Sequence, residues 1–430
     1  MPTLLWFRRD LRLHDMPAML DAASADGDVL ACYVLDPRLK TSSGFRRLQY
    51  LYDSLRELRD GLDGRLLVTR GRPDTRIPAL AKKIHASAVH VSADFSPFGV
   101  RRDTAVRDAL GDIPLEEAGS PYLVSPGRVT KNDGTPYKVF TPYFSAWRDH
   151  GWRAPAKSGP NTANWIDPVD VGGGVDIPVG DTDLERPAGE SAARRGWKSF
   201  VDKRISDYAD DRNRPDVDGI SRMSAHLKFG TIHPRTMAAD LGPGKGAQAY
   251  LRELAFRDFY ADVLYQWPRS AWWNWNETFD RIEVDEDADA RTRFETWKAG
   301  RTGFPIVDAG MRQLSETGFM HNRVRMIVAS FLVKDLHLPW QWGARWFLDQ
   351  LVDGDMASNQ HGWQWAAGCG TDAAPYFRVF NPMTQGDKFD PDGKYVRRWV
   401  PEFDTDDYPE PMVDHGAERR EALRRYSAIR

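Results

Sequence analysis

Short apolar runs and amphipathic segments alternate along the first third of the chain. Five apolar runs have the length of buried β-strands: residues 3–8, 29–35, 66–69, 88–92 and 113–117. The segments between them carry apolar residues at helical spacing: residues 17–23, 44–62, 77–84 and 100–110. Strands that alternate with helices predict an α/β fold with a doubly wound, Rossmann-like parallel sheet. Such a sheet binds ligands at the carboxyl ends of its strands.

The rest of the chain predicts a connector followed by helices. Residues 151–190 are rich in Gly, Pro, Asp and Asn and show no sustained period, which is typical of a long connector. From residue 190 onward, apolar residues recur at helical spacing in these segments: 192–210, 233–241, 246–266, 289–299, 305–317, 321–335, 341–352 and 359–367. We therefore predict an α/β domain at 1–130, an interdomain connector at 131–190 and an all-helical domain at 191–430.

Composition narrows the classes of function. The formal net charge is −3, so any contact with nucleic acid must come from a local basic patch. Cys32 and Cys369 form no CxxC pair and the histidines show no zinc spacing, so we expect no disulfide, no metal and a reducing, cytoplasmic location. No apolar run approaches bilayer thickness and no signal-peptide core is present, so we expect no membrane association. The first strand is not followed by a GxGxxG or GxxxxGK[ST] motif, which excludes a standard NAD or ATP module.

The segment 353–365 holds an unusual mixture of two acids, three amides and two tryptophans. Trp363 and Trp365 are two residues apart, so in a helix they cannot both face the core in the usual way. Gly354, between two aspartates, allows the backbone to approach a ligand closely. We hypothesise a flat redox cofactor on one side of this segment and a flat substrate on the other. The alternative is a Trp-rich helix pair joined by a turn.

Two further polar segments have functional and structural interpretations. Ser221 to Ser224 form a polar loop that opens a helix, which suits either a phosphate cradle or a plain N-cap. Arg323 and Arg325 lie within about one helical turn and are either ligand contacts or solvated, ion-paired side chains. The arginines near the C-terminus are interpreted as a solvated helix face; they are Arg419, Arg420, Arg424 and Arg425.

Long motifs resemble one known family over nearly the whole chain. They cover residues 5–15, 137–142, 303–314, 320–335 and 353–385. The chain resembles the photolyase/cryptochrome family, and within it the class I cyclobutane pyrimidine dimer (CPD) photolyases. The resemblance implies one non-covalent FAD in the helical domain and an antenna chromophore in the α/β domain. It also implies UV-damaged DNA as the partner, a monomer and no obligate protein partner.

The resemblance also implies which residues contact FAD. By position these are Tyr208, Ser221, Arg222, Met223, Ser224, Tyr250, Arg257, Arg325, Asp353, Gly354, Asp355 and Asn359. Hydroxyls and Arg222 suit a pyrophosphate, and Asp353 suits ribose or flavin N–H donors. Asn359, matched to the residue beside flavin N5, is expected to donate to the ring and favour a reduced, anionic flavin. Tyr250 stands where a Trp is common, and Ile220 replaces a hydroxyl residue before Ser221.

Three tryptophans match the family's photoreduction relay. Trp363 is expected next to the flavin, Trp340 in the middle and Trp297 at the surface. Indole is oxidised more easily than most side chains, so neighbouring indoles can pass an electron. Core packing is the alternative role for each tryptophan taken singly.

The remaining matches concern the damaged DNA. The resemblance implies that the dimer is flipped into a pocket over the flavin, where an electron from excited reduced FAD splits the cyclobutane ring. Glu253 would hydrogen-bond the dimer, and Trp365 would stack on it. The other matched pocket or DNA residues are Asn322, Met326, Arg212, Arg323 and Gln385. Phe256 stands where many relatives have a second stacking Trp, which offers less ring area.

The expected function is therefore light-driven repair of cis-syn CPDs by a deoxyribodipyrimidine photo-lyase. A cryptochrome-type photoreceptor is one alternative. A (6-4) photolyase is another, although the pair of pocket histidines typical of those enzymes is missing and His321 stands alone. For the antenna, a deazaflavin (8-HDF) is favoured over a folate (MTHF), because residues 116–130 lack the folate pattern while Arg47 and Asp94 fall near deazaflavin positions. An empty antenna site is the third option.

Overall fold

The computed structural model describes residues 1–24, 27–180, 182–373, 375 and 378–429. Residues 374, 376 and 377, within the matched segment 353–385, lie outside the described residues. The chain forms two compact units. The first comprises residues 1–137, 142–205 and 221–266, and the second comprises residues 138–141, 206–220 and 267–430.

A five-stranded parallel sheet organises the first unit. Its strands are β1 (Thr3–Phe7), β2 (Val29–Leu35), β3 (Leu66–Arg70), β4 (Val89–Val91) and β5 (Leu115–Glu117). Their order is β3-β2-β1-β4-β5, so the winding direction reverses between β1 and β4. This is the doubly wound sheet that the alternating pattern predicts, and its switch point lies at the carboxyl ends of β1 and β4.

Helices make up most of the remaining chain. In order they are α1 (Pro17–Ser24), α2 (Pro37–Thr41), α3 (Phe45–Gly61), α4 (Pro73–Lys83), α5 (Pro97–Leu110), α6 (Phe140–His150), α7 (Pro168–Val171), α8 (Glu190–Lys203), α9 (Tyr208–Asp211), α10 (Ser224–Phe229), α11 (Pro234–Asp240), α12 (Lys245–Gln266), α13 (Ala288–Lys298), α14 (Pro305–Thr317), α15 (Asn322–Lys334), α16 (Trp340–Gln350), α17 (Met356–Ala367), α18 (Pro382–Phe389), α19 (Lys394–Trp399) and α20 (His415–Ala428). Short 3₁₀ helices lie at Pro160–Thr162, Pro268–Ala271 and Glu277–Arg281. None of the described helices is long and apolar enough to cross a bilayer.

The second unit is helical and has its own apolar core. α15 is its central helix, with Ile327, Val328 and Phe331 fully buried. Nδ1 of His321 accepts the backbone N–H of Arg323 and caps the helix start. α14, α16 and α17 pack their apolar faces against α15. Residues at helical spacing therefore form a single core in this unit, as the periodicity predicts.

Two helices lie outside the segments that the hydrophobic pattern predicts, and different contacts hold each of them. α6 lies inside the predicted connector and buries Tyr143 and Trp147 completely or nearly so. α20 buries few side chains, and ion pairs fix it instead. Arg425, interpreted from sequence as solvated, is buried and pairs with Asp285 at 2.7 Å and Glu421 at 2.8 Å. That interpretation of Arg425 is wrong, because a helix held by ion pairs need not show an apolar stripe.

A buried carboxyl on α12 ties this helix to the loop after β5. Oδ2 of Asp258 accepts the backbone N–H of Val124 at 2.9 Å and the indole N–H of Trp147 at 3.0 Å. Oδ1 is buried and has no hydrogen-bond partner among the described residues. Burial raises the pKa of Asp258 to about 7, because desolvation disfavours its charged form. The carboxyl therefore stays largely protonated in the folded protein under mildly acidic conditions.

We expect the replacement Asp258→Asn to flatten the pH dependence of stability. The folded-state pKa is raised, so between about pH 4 and pH 7 the folded protein binds more protons than the unfolded chain. The free energy of unfolding of the wild type should therefore fall as pH rises through this window, by up to about 1.4 kcal/mol per pH unit from this group. Asn keeps the acceptor oxygen and should show a shallower slope in urea titrations across that pH range.

The exposed carboxylate Asp149 offers the matched control. Asp149→Asn should leave the slope unchanged. An unchanged slope in Asp258→Asn would contradict the protonated, buried state of Asp258.

Candidate functional site

α16 and α17 pack tightly against each other at Gly343. The benzene ring of Trp363 lies directly on the backbone of Gly343, so that a methyl group at this position would overlap the ring. Phe347, one turn further along α16, meets Trp363 edge to face with ring centroids 5.0 Å apart. Gly343 and Phe347 are not among the functional residues predicted from the sequence. A glycine inside an aromatic helical segment was the available signal, since it permits close approach of a neighbouring ring.

Trp297 lies in this core and not at the surface. Its exposure is 0 %, and its Nε1 donates to the carbonyl of Val328 at 3.3 Å. Its ring meets Trp363 edge to face, with centroids 6.2 Å apart. The prediction that Trp297 is the surface end of the relay is therefore wrong. The physical reason is that Ala290 and Trp297, two turns apart on α13, form the buried face of this helix.

Trp340, the predicted middle member of the relay, is 5 % exposed. It begins α16 one turn before Gly343, on the same buried face. Its Nε1 donates to Oδ1 of Asn274 at 2.9 Å. Together with Trp273, which is 57 % exposed, it lines a cavity of about 400 Å³. Trp340 therefore faces a cavity that Trp297 does not line.

Polar residues of α17 hold the helix in place. The side-chain amide of Gln364 donates to the carbonyl of Ser270 at 2.7 Å and accepts the backbone N–H of Trp275 at 2.8 Å. Gln360 donates to the carbonyl of Ala271. His361 contacts Ser270 Oγ at 3.0 Å, and burial lowers its pKa to about 4, so it is neutral. Much of the unusual polarity of the segment thus serves to anchor the helix.

The acids of segment 353–365 also have defined partners. Both oxygens of Asp353 accept from Arg325 at 2.9 and 3.1 Å, and the Asp353 side chain is buried. Asp355 caps α17 by accepting the backbone N–H of Ser358 at 3.1 Å. Gly354, between them, is buried. The Asp353–Arg325 pair is a buried polar group that could accept hydrogen bonds from a ligand.

Asn359 directs its amide hydrogens into the protein. Its Nδ2 donates to the carbonyl of Ala344 at 3.0 Å and to Oε1 of Gln360 at 2.7 Å. An amide nitrogen carries two hydrogens, so both are taken. This differs from the expected role of Asn359 as a donor to a flavin, and it leaves the side-chain oxygen as the group that can face a ligand.

The first unit carries its own share of the predicted cofactor residues. Ser221 Oγ and the Tyr250 hydroxyl are 2.8 Å apart, and Ser221 also accepts the backbone N–H of Met223 at 3.3 Å. Arg222 has a positive φ of 60° and pairs with Glu185. Residue 223 precedes α10 without a side-chain cap, so neither Ser221 nor Ser224 is a plain N-cap. A strained backbone at Arg222 is typical of a loop shaped for a ligand.

One face of α12 presents the predicted lesion and cofactor residues of the first unit. Tyr250, Glu253 and Arg257 follow each other at helical spacing, and Phe256 lies beside Arg257. Arg257 donates to the carbonyls of Pro121 at 2.7 Å and Leu227 at 3.1 Å. Glu253 and Phe256 are half-buried. A half-buried carboxylate beside a half-buried ring is a suitable surface for a polar aromatic ligand.

The second unit holds the remaining predicted residues. Asn322 and Met326 lie on one face of α15, one turn apart. Arg323 donates to Oδ1 of Asn213 at 2.7 Å, and Arg212 lies 5.8 Å over the ring of Tyr208. Trp365 is half-buried, with its ring 6.5 Å from Phe380. Gln385 lies half-buried on α18.

We expect Gly343→Ala to destabilise the protein by about 1–3 kcal/mol, because the added methyl group forces Trp363 or the backbone of α16 to move. The matched control is Gly362→Ala in α17, where a methyl group meets nothing within 4 Å. This change should stabilise by about 0.5–1 kcal/mol through helix propensity. Urea unfolding and near-ultraviolet circular dichroism measure both effects. Equal stability of the two variants would contradict the tight contact.

Known proteins match this chain along nearly its full length. The DNA photolyase family profile matches residues 3–161, and the profile for the FAD-binding domain of DNA photolyase matches residues 250–406. The chain is 40 % identical over 430 residues to the deoxyribodipyrimidine photo-lyase of Thermus thermophilus, and the match covers 98 % of both chains.

Two solved structures share the fold. The class III photolyase of Agrobacterium tumefaciens has a TM-score of 0.88 and 33 % identity, with 100 % of this chain and 97 % of that chain covered. The Synechocystis cryptochrome has a TM-score of 0.89 and 26 % identity, with 98 % of both chains covered. The profile matches and the near-full-length identity settle the family. The chain belongs to the DNA photolyase family.

Proposed function

We propose that this protein is a light-driven lyase that reverses cis-syn cyclobutane pyrimidine dimers in DNA. The observation that carries the proposal is the 40 % identity, over 98 % of both chains, with a protein named deoxyribodipyrimidine photo-lyase. The half-buried Glu253 and Phe256 on one face of α12 add support, since they offer a hydrogen bond and a ring to a flipped base. A flipped dimer needs both, because it presents a polar edge and flat faces.

The donor set fits FAD as the cofactor. Ser221 and Arg222 offer a hydroxyl and a guanidinium, which suit an anionic pyrophosphate. Asp353, held by Arg325, offers carboxylate oxygens to ribose or flavin N–H groups, while the free oxygen of Asn359 can accept a hydrogen bond from the ring. When bound and reduced, FAD supplies on absorbing light the electron that splits the dimer and takes that electron back.

The chain's own residues then have distinct tasks. Glu253 holds a hydrogen bond to the base edge of the dimer and stabilises charge that develops there. Phe256 and Trp365 stack on the bases and keep water out. Arg212 and Arg323 pair with phosphates of the DNA backbone, so lesion binding should weaken as salt concentration rises, and Gln385 makes a further contact with the DNA. Trp363 supplies an electron for light-driven reduction of the cofactor, and Trp340 then donates an electron to the oxidised Trp363.

For the antenna we propose a deazaflavin (8-HDF) bound near the carboxyl ends of β1 and β4. Parallel sheets bind ligands at this edge, where their winding reverses. Asp94, just beyond β4, has a largely buried side chain that pairs with Arg102 at 3.2 Å. Mass spectrometry of the chromophores released from the purified protein distinguishes a deazaflavin from a folate and from an empty site.

Product analysis of defined oligonucleotides tests the proposed substrate. One oligonucleotide carries a single CPD, a second a (6-4) photoproduct, and a third is undamaged. Reduced protein under blue light should restore only the CPD strand, and the dark samples should stay unchanged. Restoration of the (6-4) strand would select that alternative. Light-driven flavin reduction without restoration of any strand would select the photoreceptor alternative. The Synechocystis cryptochrome has the same fold as this chain.

We expect Trp363→Phe to slow light-driven reduction of the flavin by at least about tenfold, because Phe is much harder to oxidise than indole. Repair by chemically pre-reduced protein should change by less than about twofold, since it does not need the relay. Trp399→Phe, a buried core change in the same unit, is the control and should affect neither rate. Flavin absorbance and repair are measured on the same samples. Equal losses in both would contradict the relay role of Trp363.

We expect Glu253→Gln to lower the number of dimers repaired per absorbed photon several-fold while lesion affinity changes little. Arg212→Ala is the reciprocal variant. It should weaken binding and reduce the slope of log affinity against log salt by about one, without changing repair per photon. Fluorescence anisotropy and photon-counted repair separate the two effects. A pure binding defect in Glu253→Gln would contradict its role at the dimer.

A further inference from the structure

Both buried and exposed residues of the second unit line the cavity beside Trp340. Trp340 is 5 % exposed, and it lines the cavity together with Trp342 and the 57 % exposed Trp273. Trp297, which sequence matching would place at the exit, is fully buried. If light takes electrons from Trp363 and Trp340, an electron must return from solvent. Among the described tryptophans of the relay, Trp340 is the one that lines this opening.

The cavity walls combine indole faces with carboxylates. Asp280, Glu283 and Glu286 line it, and Glu286 has no ion pair among the described residues. Glu283 pairs with Arg424 on the exposed surface, where such pairs are weak. Asp280 accepts a hydrogen bond from the side-chain amide of Asn274 at 2.8 Å. Because this amide is neutral, the contact does not neutralise the carboxylate.

The positive groups of the lining are already neutralised. Arg425 pairs with Asp285 and Glu421. His337 is buried, which lowers its pKa, and its Nε2 contacts Glu418 at 2.8 Å. Arg269 and Arg291 already lie over the lining rings of Trp273 and Trp342, at 5.3 and 5.2 Å. The carboxylates of the lining are therefore the main attraction for an organic cation, and the indole of Trp340 offers its ring to an aromatic group.

We infer that this cavity binds a small aromatic reductant that carries an ammonium group, and that this molecule returns the electron to Trp340. The inference rests on the relay proposed for Trp363 and Trp340. A phenolic donor illustrates where the electron and the proton go. Trp340, after giving up one electron towards Trp363, regains one electron from the phenol. The phenol releases its proton to water at the cavity mouth and leaves as a phenoxyl radical. Anionic donors with the same ring should enter poorly.

A dark binding measurement tests the ligand class without light or repair. Benzylammonium and phenylacetate have similar size and opposite charge. Both carry an aromatic ring, and neither donates an electron to an oxidised tryptophan. Benzylammonium should bind the FAD-loaded protein saturably and about tenfold more tightly than phenylacetate, as expected for one favourable against one unfavourable charge interaction near the surface. Glu286→Gln with Asp280→Asn should shrink this difference, and so should added salt.

Photoreduction with matched donors tests the electron entry. Tyramine and 4-hydroxyphenylacetate share a phenol and differ in charge. The rate of flavin photoreduction should saturate with tyramine and exceed the rate with 4-hydroxyphenylacetate several-fold. Trp273→Ala, which opens the cavity wall, should abolish saturation. Trp346→Leu removes a half-buried indole of α16 that does not line the cavity, and this variant should keep saturation.

Three results would overturn the inference. They are equal affinity for the two charges in the dark, equal rates with both donors, and equal effects of Trp273→Ala and Trp346→Leu. Flavin absorbance and circular dichroism establish that each variant is folded and loaded. Repair by chemically pre-reduced protein needs no electron entry. If the pre-reduced wild type repairs no dimers while its photoreduction rate still saturates with tyramine, the proposed repair function is refuted and the cavity assignment stands.

Discussion

The contact between Trp363 and the backbone of Gly343 is the constraint on which the helical unit depends. The ring of α17 lies directly on the backbone of α16, because position 343 has no side chain. Phe347 and Trp297 close the other sides of the same indole. Protein interiors resist partial displacement of such rings, so the rotation of α17 about its axis is fixed. The direction of every functional side chain on α17 follows from that rotation.

Hydrogen bonds from polar side chains also hold α17 in place. Gln360 and Gln364 bond the backbone of the segment after α12, and the Asp355 cap fixes the first turn. Buried amides are costly unless they are bonded, so these contacts select one orientation of the helix. The two side-chain N–H groups of Asn359 also donate to groups within the protein, so its side-chain oxygen is the atom that can contact a ligand. The helix that would face a cofactor is therefore held in one orientation by the protein's own contacts.

Sequence patterns predicted the framework well because burial is periodic. β2 has the predicted bounds Val29–Leu35, and α14 has the predicted bounds Pro305–Thr317. The patterns failed where contacts between distant segments decide. Helical spacing shows that Trp297 faces inward with Ala290, but only the fold reveals that this side is the core next to Trp363. The donors of Asn359 and the ion pairs of Arg425 also depend on partners far away in sequence.

The central claim is that light absorbed by this protein reverses pyrimidine dimers. The most direct test follows the ultraviolet absorbance of an excess of thymine-dimer oligonucleotide mixed with reduced protein, under blue light and in the dark. Splitting the dimer restores the base chromophores. Absorbance should recover only in the light, and recovery should continue through many dimers per protein molecule. Absence of recovery in the light, with the cofactor bound and reduced, would contradict it.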